Sequence, residues 1–119
     1  MIITLPYGVP HPITGTHQGT DCVFSDGIIK FPKKIYRGRC IYIGFEEKGL
    51  GNYAVFRCVG QDNRTKILIM GHFKTIYCKV GDLLLPMDKV GIQGDSGFTT
   101  GVHCHIEIYE PIDPEPYLS

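Results

Sequence analysis

At 119 residues with 12 Lys+Arg against 12 Asp+Glu, the chain is short and neutral, which bounds it to a single domain over residues 1–119. The even charge and the lack of any run of five like charges exclude a strongly basic nucleic-acid binder and an acidic disordered tail. At 43% apolar residues, a chain of this size buries roughly two thirds of its unfolded surface, so it can form a core without a disulfide or a structural metal.

The first twenty residues hold no Lys, Arg, Asp or Glu, yet Pro6, Gly8, Pro10, Pro12 and Gly15 interrupt any apolar helix. No basic segment precedes them either, so neither a signal peptide nor a membrane anchor is expected there. Gly and Pro (15 and 8) make up roughly a fifth of the chain, above the usual share of about 12%. That punctuation predicts short strands joined by many turns.

Strands are predicted over Arg39–Phe45, Tyr53–Val59, Thr65–Met70 and Val102–Tyr109, each rich in Ile, Val, Tyr or Phe. Glu46–Asn52 and Gly60–Arg64 read as hairpin connections between the first three, giving an antiparallel meander. Helix content is predicted to be low, Gly81–Met87 being the best short exception. Gly91–Gly101, with four glycines, reads as a loop that brings backbone close to a site.

The five cysteines, Cys22, Cys40, Cys58, Cys78 and Cys104, contain no CxxC pair. They read as small buried hydrophobes, with synthesis in a reducing compartment.

Chemistry concentrates on the histidines. Along His103-Cys104-His105-Ile106-Glu107-Ile108-Tyr109, strand alternation sets His103, His105, Glu107 and Tyr109 on one face and Cys104, Ile106 and Ile108 on the other. Two imidazoles at i and i+2 stand roughly 6 to 7 Å apart, close enough for one to bind a metal and the other to touch a ligand of that metal. Glu107 reads first as a solvated strand carboxylate, and otherwise as a group that orients an imidazole. Upstream, His17 and Asp21 are spaced i, i+4 around Gly19, which can fold the chain so that both side chains converge. Two histidines and one aspartate would complete a mononuclear zinc site with a fourth position open to water, the catalytic pattern. His72 is expected at the end of its strand and is a candidate proton carrier or orienting donor. His11, between two prolines, reads as surface.

The order HxxxD (His17 to Asp21), lone His72 and HxH (His103, His105), with the approach GIQGDSGFTTGVHCHIEI, resembles the lysostaphin-type (LytM-like) zinc metalloendopeptidases that cut bacterial peptidoglycan. The resemblance runs from about Pro6 to the Asp113–Leu118 tail. It implies a mainly β, single-domain fold in which antiparallel sheets form a groove. It also implies zinc held by His17, Asp21 and His105, with His72 and His103 as the catalytic pair. Tyr7 falls where some members place a tyrosine that stabilises the reaction intermediate. Cys104 stands where Leu is usual and Met70 where Tyr is common, which bears on substrate fit rather than on metal binding.

The expected partner is a peptidoglycan peptide, with no nucleic acid and no membrane, and the expected form is a monomer. The absence of a signal and a wall-binding domain suggests synthesis in a reducing cytoplasm with delivery by phage lysis or a virion, or a piece of a longer protein. The main rival reading is an inactive family member that serves as a peptidoglycan-binding or assembly module; a weaker rival is an unrelated zinc hydrolase of small substrates.

Overall fold

A computed structural model describes residues 1–8, 10, 11, 15, 16, 19–97, 99 and 101–118, the side chains of 10, 11, 15 and 16 excepted. His17 and the side chain of His11 lie outside the described residues. Among the described residues eleven strands follow one another: β1 (Ile2–Leu5), β2 (Pro10–His11), β3 (Gly15–Thr16), β4 (Thr20–Val23), β5 (Ile28–Lys30), β6 (Ile35–Glu46), β7 (Gly51–Gly60), β8 (Thr65–Ile76), β9 (Leu83–Leu84), β10 (Lys89–Gln93) and β11 (Cys104–Tyr109). A single 3-10 turn, Glu115–Tyr117, is the helical element among the described residues. The protein is mainly β, as the sequence predicts.

The three long strands β6, β7 and β8 form the predicted meander, with Phe45 opposite Asn52 in the first pair and Phe56 opposite Leu68 in the second. Along β7 the alternate residues Ala54, Phe56 and Cys58 are buried, the period of two that puts one face on the core. Phe31 packs edge-on against Phe56, with ring centroids 5.5 Å apart at 77°. Leu68, Met70, Phe73 and Val90 close the same core, and all five cysteines are free and buried. Sulfur acts here as a compact apolar filler.

The order across the sheet is β1-β4-β11-β8-β7-β6-β9, with β10 pairing both β8 and β5. The last strand in the chain, β11, is therefore inserted between β4 and β8, antiparallel to both.

Several predicted boundaries change. The strand that begins at Thr65 does not end at His72 but runs on to Ile76, because His72 adopts φ +64° and the ladder to β7 slips between Asn52 and Ala54. This irregularity turns the strand without ending it. Gly91–Gln93, expected in a loop, belongs to β10, where neighbours on both sides complete the backbone pairing. Within Gly81–Met87 there is no helix but the short strand β9 beside Gly38 and Arg39. Val102 stands outside β11, and His103 meets Gly94 in an isolated bridge.

Gly91 has a packing reason: a Cβ there would lie 2.2 Å from the Thr75 carbonyl oxygen and 2.8 Å from the Phe73 ring. Gly91→Ala is expected to cost about 1–3 kcal/mol, read as a lower urea midpoint. Gly101→Ala, with nothing within 4 Å of the added Cβ, is expected to stay within about 0.5 kcal/mol of the parent.

Candidate functional site

The site forms where β11 crosses between β4 and β8. Asp21 on β4 lies opposite His105 on β11, which lies opposite Gly71 on β8. Facing residues on adjacent strands bring side chains within reach of one another. Asp21 Oδ1 sits 2.8 Å from His105 Nδ1, and its Oδ2 sits 3.5 Å from His103 Nε2. One carboxylate thus contacts both members of the HxH pair.

His72 enters from β8. The left-handed backbone at this residue swings its ring toward the same row, with centroids 5.0 Å from His103 and 6.0 Å from His105. Its N–H donates to the Leu50 carbonyl at 2.7 Å. Its Nδ1 lies 2.7 Å from the Ser96 carbonyl oxygen, which can only accept, so Nδ1 carries the proton and the lone pair of the neutral ring is on Nε2.

The three histidines differ in their surroundings. Burial is the main influence on His72 and lowers its pKa, outweighing the Ser96 carbonyl, with His103 and His105 adding to the fall. His105 is also penalised by burial, but hydrogen bonding to Asp21 and Glu107 prevails and raises its pKa to about 9. His103 has the Thr99 hydroxyl 3.3 Å from its ring, and its backbone N–H donates to the Gly94 carbonyl at 3.1 Å.

Glu107 is not the solvated carboxylate first read from the sequence. Its side chain is 12% exposed, with Oε2 3.7 Å from His105 Nε2, and its Oε1 accepts the Tyr109 hydroxyl at 2.6 Å. That bond is the main reason the Tyr109 phenol is pushed up to about 12. The alternation along β11 places it on the histidine face, where packing shields it from water. Tyr7 is 73% exposed in the turn after β1.

Asp21 and His105 offer a carboxylate oxygen and an imidazole nitrogen in contact, a donor chemistry that suits zinc. Among the described residues no group of three or more His, Cys, Asp or Glu is arranged to hold a metal, and His17, the third expected ligand, lies outside them. Gly19, two positions along the chain from His17, packs directly on the site: a Cβ there would fall 2.8 Å from His105 Cε1 and 2.8 Å from Glu107 Cγ. A groove of about 560 Å³ lined by Asn52, Lys74, Gln93, Asp95, Ser96 and Val102 runs beside the loop that precedes His103. Sequence reading missed the Leu50 and Ser96 carbonyls because backbone acceptors leave no mark in residue identity.

Over 98% of its length the chain superposes on the catalytic domain of the antimicrobial peptidase lysostaphin from Staphylococcus simulans, with TM-score 0.71, 26% identity and 90% of that chain covered. The chain is a structural relative of the lysostaphin-type peptidases. A mutant catalytic domain of the prophage-encoded M23 protein EnpA from Enterococcus faecalis matches with TM-score 0.72 and 25% identity, over 99% of this chain and 92% of that one. A zinc-containing peptidase from Vibrio cholerae matches over 91% of this chain and 33% of its own, at TM-score 0.66 and 27% identity. In sequence, 59 residues are 37% identical to an uncharacterized metalloprotease of Buchnera aphidicola, spanning 50% of this chain and 15% of that protein. No protein-family model matches.

The Asp21–His105 contact predicts how the stability of this lysostaphin-like fold depends on pH. His105 has its pKa raised on folding, from 6.5 to about 9, so its contribution is complete below pH 6.5 and is lost as pH rises through 9. In chelator-treated protein, urea unfolding is expected to show stability falling across this window, at up to about 1.4 kcal/mol per pH unit. His105→Asn should remove that slope.

Proposed function

We propose that the chain is a zinc-dependent endopeptidase that hydrolyses peptide bonds of bacterial cell-wall peptidoglycan, in a cross-bridge or a stem peptide. The observation that carries this reading is the convergence of Asp21, His105, His103 and His72 on one sheet face, from the segments where the lysostaphin-type motifs stand in the sequence. The likeness to the catalytic domain of the lysostaphin peptidase supports it, and the likeness to the zinc-containing peptidase of Vibrio cholerae supports the choice of metal.

His17, Asp21 and His105 would hold the zinc. When bound there, zinc supplies a Lewis acid that polarises the amide carbonyl and acidifies water. The remaining chemistry falls to the chain. Neutral His72, with Nδ1–H given to Ser96, presents Nε2 as a proton acceptor, and burial keeps it neutral. His103, against the Asp21 carboxylate, delivers a proton to the leaving amine. Glu107 orients His105 from its far side. Tyr7, exposed in the turn after β1, is a further candidate for steadying the intermediate. The chain acts as a monomeric domain at the cell wall, and the prophage-encoded neighbour supports a phage lysin or tail-associated module.

Purified protein is expected to hold about one zinc per chain and to clear a peptidoglycan suspension in a chelator-sensitive way. His105→Ala should lose both metal and clearing. His72→Ala should keep its metal while clearing slows by about 100-fold or more, and loss of metal from that variant would overturn its role. Full zinc occupancy with no hydrolysis of any peptidoglycan type would instead identify a binding or assembly module.

A further inference from the structure

His72 works from an uncommon backbone position, and its ring is oriented by a loop rather than by a strand. A non-glycine residue at φ +64° persists only where its surroundings over-determine it. The ring's Nδ1–H is donated to the carbonyl of Ser96, in the loop between β10 and β11 that the Gly94–His103 bridge closes at its base.

The side chain of Ser96 anchors the loop near its tip. Its hydroxyl donates to the Phe73 carbonyl at 2.6 Å and accepts the Asn52 backbone N–H at 3.1 Å. Asn52 Nδ2 donates to the same Phe73 carbonyl at 3.0 Å. The hydroxyl thus joins the start of β7 to β8, on the residue next to His72. Two glycines let the loop come this close. A Cβ on Gly51 (φ +62°) would fall 2.2 Å from the Ser96 carbonyl carbon and 2.3 Å from its oxygen, and one on Gly97 (φ +79°) would fall 2.1 Å from the Gly51 nitrogen. Both positions need glycine for conformation as well as space.

We propose that Ser96, seated between Gly51 and Gly97, is a positioning residue for His72: its hydroxyl locks the loop to β7 and β8 so that its carbonyl holds the imidazole in the Nδ1–H tautomer. A side chain and a carbonyl of one residue thereby set which nitrogen of a second residue faces the site. The consequence for turnover rests on the proposed peptidase activity, whereas the tautomer does not.

The test is nitrogen-15 NMR of the histidine rings in the intact chain, together with clearing rates and zinc content. The parent should show His72 as the Nδ1–H tautomer. Ser96→Ala should mix the tautomers and slow clearing by about 10- to 100-fold with zinc content unchanged, and Ser96→Thr, which keeps the hydroxyl, should recover both. An Nε2–H tautomer in the parent overturns the assignment without any variant, which covers the case in which Ser96→Ala does not fold. A Ser96→Ala protein with the parental tautomer and rate overturns it as well. If the parent clears no peptidoglycan, the proposed activity fails while the spectra still decide the positioning role.

Discussion

The insertion of β11 between β4 and β8 is the constraint on which the site depends. Its register sets Asp21, His105 and Gly71 in one row across three strands, and Asp21 and His105 are 84 positions apart in the chain. A shift of one residue would turn Asp21 or His105 to the opposite face. The neighbouring row holds the register in place: Cys22 and Cys104 face each other across the same two strands and are fully buried. Apolar sulfur below and the ionic pair above specify one alignment.

Neighbouring groups then separate two histidines that burial alone would push the same way. Burial opposes the charge on both rings: hydrogen bonding to Asp21 and Glu107 overrides it at His105, whereas at His72 burial prevails and the two other imidazoles add to the fall. Desolvation lowers both pKa values, and the partners beside each ring decide which way it finally moves. The site thereby holds one histidine whose pKa is raised beside a carboxylate and one whose pKa is lowered by burial.

Much of this was legible in residue identity. The meander of β6, β7 and β8 follows from β-branched and aromatic runs broken by glycine-bearing turns, and the two faces of β11 follow from its alternation. The HxxxD, lone His and HxH order marked the segments that converge. Less visible were the short strands β4, β5, β9 and β10, which are too brief for a periodic signal and form because partners lie beside them. The continuation of β8 past His72 was also hidden, since a strand that turns through a left-handed residue looks from sequence like a strand that stops. Glu107 read as solvated because alternation assigns a face but does not say what covers it.

Residue identity sufficed for the class of fold and the chemical inventory: apolar periodicity of two, turn residues at the right intervals, and a set of imidazole and carboxylate side chains. Strand pairing between distant segments decided the rest. Only the tertiary structure set Asp21 against His105, gave Glu107 its shielded place, and aimed Ser96 and Leu50 carbonyls at His72. The physical reason is that these contacts join residues separated by many positions or involve backbone atoms that every residue possesses, so no local pattern of side chains encodes them.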